Sequence, residues 1–239
     1  MSPRTDKTTG RLYGLGLGPG DPELVTLKAL RLLRAAPVVA YPAPADGVSF
    51  ARRIVAEWLD RGQRELRVSF PMRPGPPPAA IYEAAAAQLA AVLDAGDDIA
   101  YLCQGDPLFY GSFAGILARL AARYEVVVVP GVSSLTACAA AASEPLVQRD
   151  ETLSVIPAGL PEAELAARLA QVDAAAIIKL GRHFAKLRRV LSRLGLLDGA
   201  VYVERASLPN QLVAALATID PASVPYFAMA LVRCRRNGA

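Results

Sequence analysis

The chain has 239 residues, of which 53% are hydrophobic and 20% charged, with 19 prolines, 18 glycines and a net charge of +4. Such a composition can bury one large core or two smaller ones, and it excludes disorder, collagen-like repeats and low-complexity tails. The first ten residues are polar and no apolar run approaches the roughly 18 needed to span a bilayer, so a soluble, unprocessed, cytoplasmic protein with no membrane partner is expected.

Three widely spaced cysteines, Cys103, Cys138 and Cys234, form no CxxC pair, and His183 is the lone histidine, so no structural metal site is expected and a reducing compartment fits. The mild basic excess favours a polyanionic ligand. Nucleic acid is not that ligand by this reading: only 6% of the chain is aromatic, and the basic clusters at 188–189 and 233–236 read as solvated surface.

Short β-branched runs alternate with longer Ala/Leu-rich segments of helical period, the pattern of an α/β protein with mostly parallel strands. Strands are expected at 12–17, 38–41, 66–70, 99–103 and 125–129, with helices at 23–35, 50–61, 79–95 and 113–123. After Pro130-Gly131 the alternation restarts, with helices at 133–142, 162–171 and 184–194 and strands at 153–157, 176–180, 200–203 and 227–233. The division predicts two α/β domains, 1–129 and 130–239, with a cleft between them as the ligand site. The proline-rich stretch 71–78 can be neither helix nor interior strand and reads as a stiff surface loop.

Three loops at strand ends could do chemistry. The first, Gly14-Leu15-Gly16-Leu17-Gly18-Pro19-Gly20-Asp21-Pro22, looks at first like a dinucleotide fingerprint. Reading GxGxxG from Gly14 meets Pro19, reading it from Gly16 meets Asp21, and no acidic residue ends the second strand, so that reading fails. A P-loop fails too, because no GK[ST] follows. What remains is a sharp turn with Asp21 capping a helix that begins at Pro22. The second loop runs from Cys103 to Phe113. There Gly105 permits close backbone approach, Asp106 can accept from ribose hydroxyls or a cation, and Phe109 and Tyr110 offer flat apolar surface. The third, Pro130-Gly131-Val132-Ser133-Ser134, opens a helix whose free amides and hydroxyls suit a carboxylate.

The strings GLGPGDPELVTLKALRLLRAA, QGDPLFYG and VVPGVSSLTACAAAASEPL, in this order and over nearly the whole chain, resemble the tetrapyrrole methylases, the S-adenosylmethionine-dependent enzymes of corrinoid and sirohaem synthesis. Further strings, YPAP, KLGRHFAKLRRVL, YVERAS and PYFAMALV, point to the branch that methylates a meso carbon. The uroporphyrinogen methylases carry Arg after their FG dipeptide, where Ser112 stands here. The resemblance implies a two-domain fold, each domain a mostly parallel or mixed sheet flanked by helices, with the active-site cleft between them. It also implies a homodimer, a small-molecule tetrapyrrole substrate and S-adenosylmethionine as methyl donor. Carried over residue by residue, the cofactor contacts are Pro19, Gln104, Gly105, Asp106, Phe109, Ser133, Ser134, Leu180 and Ala206. Members of this branch commonly carry Glu where Gln104 stands, so a carboxylate there is not required.

A sulfonium donor brings its own activation, so few catalytic side chains are needed. None is assigned: Tyr110, Glu204, His183 and Asp46 are equal candidates for accepting the proton released on methylation. Arg52, Arg53, Arg73 and Arg182 are candidates for holding substrate carboxylates.

Overall fold

The fold is that of a computed structural model, which describes residues 9–44, 47–70 and 78–234. It has two compact units, 1–133 and 134–239. In the first, β1 (Leu12–Gly16), β2 (Val38–Ala43), β3 (Arg64–Ser69), β4 (Ile99–Cys103) and β5 (Val126–Val129) form one sheet in the order β3-β2-β4-β1-β5. Every neighbouring pair is parallel. The central strand β4 is buried throughout, as expected of an apolar strand covered on both faces.

Helices α1 (Leu27–Ala35) and α2 (Phe50–Ile54) cover one face, where Leu15, Leu33, Val39, Ile54 and Leu102 form a core. Helices α3 (Ala79–Asp94) and α4 (Phe113–Leu120) cover the other, around Leu89, Leu93, Tyr101, Phe113 and Ile116. The connection leaving β1 therefore crosses to β2 on one face, and the connection leaving β4 crosses to β5 on the other. The carboxyl ends of β1 and β4 thus flank the point where the winding reverses, which is where open α/β sheets bind ligands.

The second unit contains α5 (Ser134–Ala142), β6 (Leu153–Pro157), α6 (Glu162–Leu169), β7 (Ala174–Ile178), α7 (Phe184–Arg193), β8 (Val201–Glu204), β9 (Leu212–Ala215) and β10 (Ala228–Arg233). Its sheet runs β6-β7-β10-β8-β9. β6 and β7 are parallel, whereas β10 is antiparallel to both β7 and β8, and β9 is antiparallel to β8. The carboxyl ends of β6, β7 and β8 consequently share one end of the sheet with the start of β10. The core is built on Phe184, Leu187, Val190 and Tyr202, with Phe184 edge-on to Tyr202 at 5.8 Å between ring centroids.

Three expectations change. Asp21 does cap a turn beginning at Pro22, but that turn is a short 3-10 segment, Pro22–Leu24. Val25 and Thr26 are extended, and α1 starts only at Leu27, where the Thr26 hydroxyl accepts from the Ala29 amide at 3.2 Å. Similarly, the segment expected at 50–61 is α2 followed by a separate 3-10 turn, Ala56–Trp58. Strand β9, four residues at the sheet edge, had no period long enough to announce it. The proline-rich stretch, apart from Pro78, lies outside the described residues, as do Arg73, Asp46 and the end of the 233–236 basic cluster.

Cys103 and Cys138 are buried and Cys234 is half-buried. Loss of hydration pushes the Cys138 thiol up to about 12 and the Cys234 thiol up to about 11, and it raises Cys103 well above its ordinary value. Among the described residues no helix is long and apolar enough to cross a membrane, and no group of His, Cys, Asp and Glu could hold a metal ion.

Candidate functional site

The three loops singled out in the sequence meet within the first unit, at the carboxyl ends of β1, β4 and β5. Gly18 and Gly105 form a two-way bridge: the Gly105 amide donates to the Gly18 carbonyl at 2.7 Å, and the Gly18 amide donates back at 3.3 Å. One residue earlier, the Leu17 amide donates to the Cys103 carbonyl at 2.9 Å. The first loop is thus stitched to the second, and Leu17, Gly18, Pro19 and Gly20 are all buried.

The third loop is held by Asp106. One carboxylate oxygen accepts from the Gly131 amide at 3.1 Å, and the other accepts from the Leu108 amide at 2.9 Å. A single side chain therefore closes its own turn and also fixes the chain leaving β5. Each oxygen retains a further acceptor position for a ligand hydroxyl or cation.

Glycine is required where the backbones touch. A methyl group on Gly131 would lie 2.2 Å from the Gly105 carbonyl oxygen and 2.7 Å from the Gly16 carbonyl carbon. Both obstacles are backbone and cannot swing away. Gly105 itself has φ +68° with open space where its side chain would be. Its left-handed turn, though buried, leaves open space beside the backbone where a ligand can approach. A cradle of backbone with a carboxylate at its edge fits a ligand carrying vicinal hydroxyls or an ammonium group, and S-adenosylmethionine has both.

Beside this cradle, Phe109 and Tyr110 are paired edge-to-face at 5.0 Å, with Tyr110 at φ +56° and half-exposed. Gln104 and Asp106 are partly buried. Ser133 is half-buried and Ser134 exposed where α5 begins, so the helix opens one residue later than expected.

The second unit adds a feature that the sequence reading missed. Among the described residues six non-glycine residues have positive φ, and three of them lie at one end of its sheet: Lys179 (+59°) after β7, and Arg205 (+52°) and Ser207 (+68°) after β8. L-residues seldom occupy this region, and its clustering at strand ends marks a shape kept despite its cost. Leu180 and Ala206, two of the expected cofactor contacts, sit in these two turns. The Leu180 side chain is fully buried in the core, so only its backbone is available to a ligand, and Ala206 is 7% exposed.

The candidates for charge and proton chemistry separate clearly. Arg52 is committed to Glu65 through two hydrogen bonds, of 2.6 and 2.7 Å, and Arg53 lies over the Phe50 ring. Arg182 lies in the turn after β7, its Nε 3.4 Å from His183 Nε2. Burial, with Lys186 and Arg182 nearby, lowers the His183 pKa and favours the neutral imidazole. Glu204 is buried at the end of β8, accepting from the Tyr202 hydroxyl at 2.6 Å and paired with Arg205 at 2.5 Å. Elsewhere, a shallow cleft of about 610 Å³ on α7 carries Arg188, Arg189 and Arg193. Glu162 bridges Arg189 and Arg193 there, as on a solvated helix face.

The model of the tetrapyrrole (corrin/porphyrin) methylases matches residues 11–220. The Mycobacterium tuberculosis cobalamin biosynthesis protein CobIJ is 47% identical over 96% of this chain, which spans only about half (47%) of that protein's length. A precorrin-2 C(20)-methyltransferase from Sinorhizobium is 44% identical over 93% of this chain and 95% of its own. Among solved structures, uroporphyrin-III C-methyltransferase from Thermus thermophilus, complexed with S-adenosylhomocysteine, is 28% identical with a TM-score of 0.70, covering 94% of this chain and 97% of its own.

Proposed function

The chain belongs to the tetrapyrrole (corrin/porphyrin) methylases, and we propose that it transfers a methyl group from S-adenosylmethionine to C20 of precorrin-2, giving precorrin-3A on the route to cobalamin. The observation that carries this reading is the 44% identity to the Sinorhizobium C(20)-methyltransferase across almost the full length of both chains. Ser112, in place of the arginine of uroporphyrinogen methylases, supports a meso carbon as the target.

In this reading the cofactor is held by Pro19, Gln104, Gly105, Asp106 and Phe109 of the first unit and by Ser133, which ends it. Ser134, the Leu180 backbone and Ala206 supply the contacts from the second. The sulfonium supplies an activated methyl group. The protein's task is alignment and exclusion of water, and the stitched loops suit it: backbone hydrogen bonds and the Asp106 carboxylate fix the cradle before any ligand arrives. Asp106 accepts from the ligand without leaving its bonds to Gly131 and Leu108. We place the enzyme in the cytoplasm as a homodimer, for which sedimentation would give twice the 25.2 kDa chain mass.

The test is an anaerobic assay with methyl-labelled S-adenosylmethionine and, separately, precorrin-2, its cobalt complex and uroporphyrinogen III. One methyl group added at C20 of precorrin-2, located by carbon NMR, is the expected result. Preference for the cobalt complex would move the enzyme to the cobalt-dependent route. Transfer to none of the three, with S-adenosylhomocysteine still bound, would overturn the assignment.

A further inference from the structure

At the strained end of the second unit's sheet, Tyr226 and Phe227 form an edge-to-face pair, ring centroids 5.4 Å apart, and are 60% and 46% exposed. Two adjacent aromatics at a strand end, outside the core, mark a surface with something to bind. The pair lies beside both neighbouring turns and is bonded to one of them. The Phe227 carbonyl accepts from the Arg205 amide at 3.2 Å, and the Tyr226 Cα lies 3.8 Å from the position of a side chain on Gly181.

Those turns are cationic. Lys179 directly follows the Ile178–Met229 register pair, Arg182 lies three residues further on, and Arg205 follows β8. The carboxylate among them, Glu204, is buried, accepts from Tyr202 and pairs with Arg205, so it offsets Arg205 and leaves Lys179 and Arg182 as the net positive charge of the two turns. Flat apolar rings bordered by guanidinium and ammonium groups select a ligand of matching design: a planar apolar body with anionic groups at its rim.

We propose that Tyr226 and Phe227, bordered by Lys179, Arg182 and Arg205, form the subsite that receives the macrocycle and ring carboxylates of the tetrapyrrole substrate. The proposal rests on the functional reading above and gives it a substrate-binding surface that the three glycine-containing loops do not supply.

The test uses full-length protein with Tyr226→Ala and Arg182→Gln, two exposed positions whose replacement leaves the core intact, and Arg189→Ala on the outer helix face as a control. The probes are uroporphyrin III, a stable octacarboxylate macrocycle, followed by its fluorescence, and S-adenosylhomocysteine, followed by calorimetry. Each subsite variant is expected to weaken uroporphyrin III binding about tenfold and to raise the tetrapyrrole KM with little change in kcat, while S-adenosylhomocysteine affinity stays within about twofold. Unchanged porphyrin affinity in both folded variants overturns the subsite, as does wild-type protein with no measurable porphyrin affinity. An equal loss of S-adenosylhomocysteine binding also overturns it, since the aromatic pair would then serve the nucleoside. Failure of the functional reading looks different: wild-type protein binds the porphyrin through this surface but methylates no tetrapyrrole.

Discussion

Asp106 joins two loops with one carboxylate, so its removal separates holding a ligand from holding the fold. Asp106→Ala strands the Gly131 and Leu108 amides at a partly solvated position, at a cost of about 1 kcal/mol. It is expected to lower S-adenosylhomocysteine affinity at least tenfold in a protein that still unfolds cooperatively, measured by calorimetry and thermal melting. Gly131→Ala acts by bulk instead. Its methyl group meets two backbone segments, so a stability loss of about 1–3 kcal/mol together with loss of cofactor binding is expected. Tyr101 tests the opposite sign. Its hydroxyl is fully buried without a hydrogen bond among the described residues, with Ser112 nearby but outside bonding geometry. Tyr101→Phe removes an unpaired polar atom and keeps the ring that packs on Phe113, so the melting temperature should hold or rise. A clear fall would mean that the hydroxyl is bonded in solution.

Elements were legible wherever a long apolar period or an unbroken β-branched run existed. The segment 99–103 could be read residue for residue because a strand buried on both faces is apolar at every position. The start of α1 was misread because Asp21-Pro22 and Thr26 are both sound caps, and the nearer one closes only a short turn. β9 was lost because strand pairing, not its own four residues, makes it a strand. In the candidate site, the three loops announced themselves through glycine, proline and aspartate. Contact between Gly16, Gly105 and Gly131 depends on sheet order, and the strain at Lys179 and Arg205 on backbone dihedrals, neither of which a residue string records. One element-level link also carries a pH signature. Hydrogen bonds from Arg52, aided by Tyr41, tie β3 to α2 and β2 and hold the Glu65 carboxyl below its ordinary value of 4.5. A depressed folded value stabilises the protein above that ordinary value, and the benefit fades as pH falls through the folded one. The melting-temperature gap between wild type and Glu65→Gln should therefore be full at neutral pH and close below pH 4.5.

Across the whole molecule, two hydrophobic cores in the first unit and one in the second enclose most of the apolar side chains, and the thiols go with them. A disulfide-forming reagent added to native protein at neutral pH should label Cys103, Cys138 and Cys234 far more slowly than it labels the urea-unfolded chain, in which all three react. Rapid native labelling would show that the second unit opens around Cys138 or Cys234. Slow labelling has a practical corollary for work with reduced tetrapyrroles, which spoil in air. A thiol shielded by burial and held in its protonated form reacts slowly with peroxide and oxygen, so full cofactor binding after purification and storage in air without reductant is the expected outcome. Activity lost during aerobic handling would then be traced to the substrate and not to the enzyme, and fresh substrate alone should restore it.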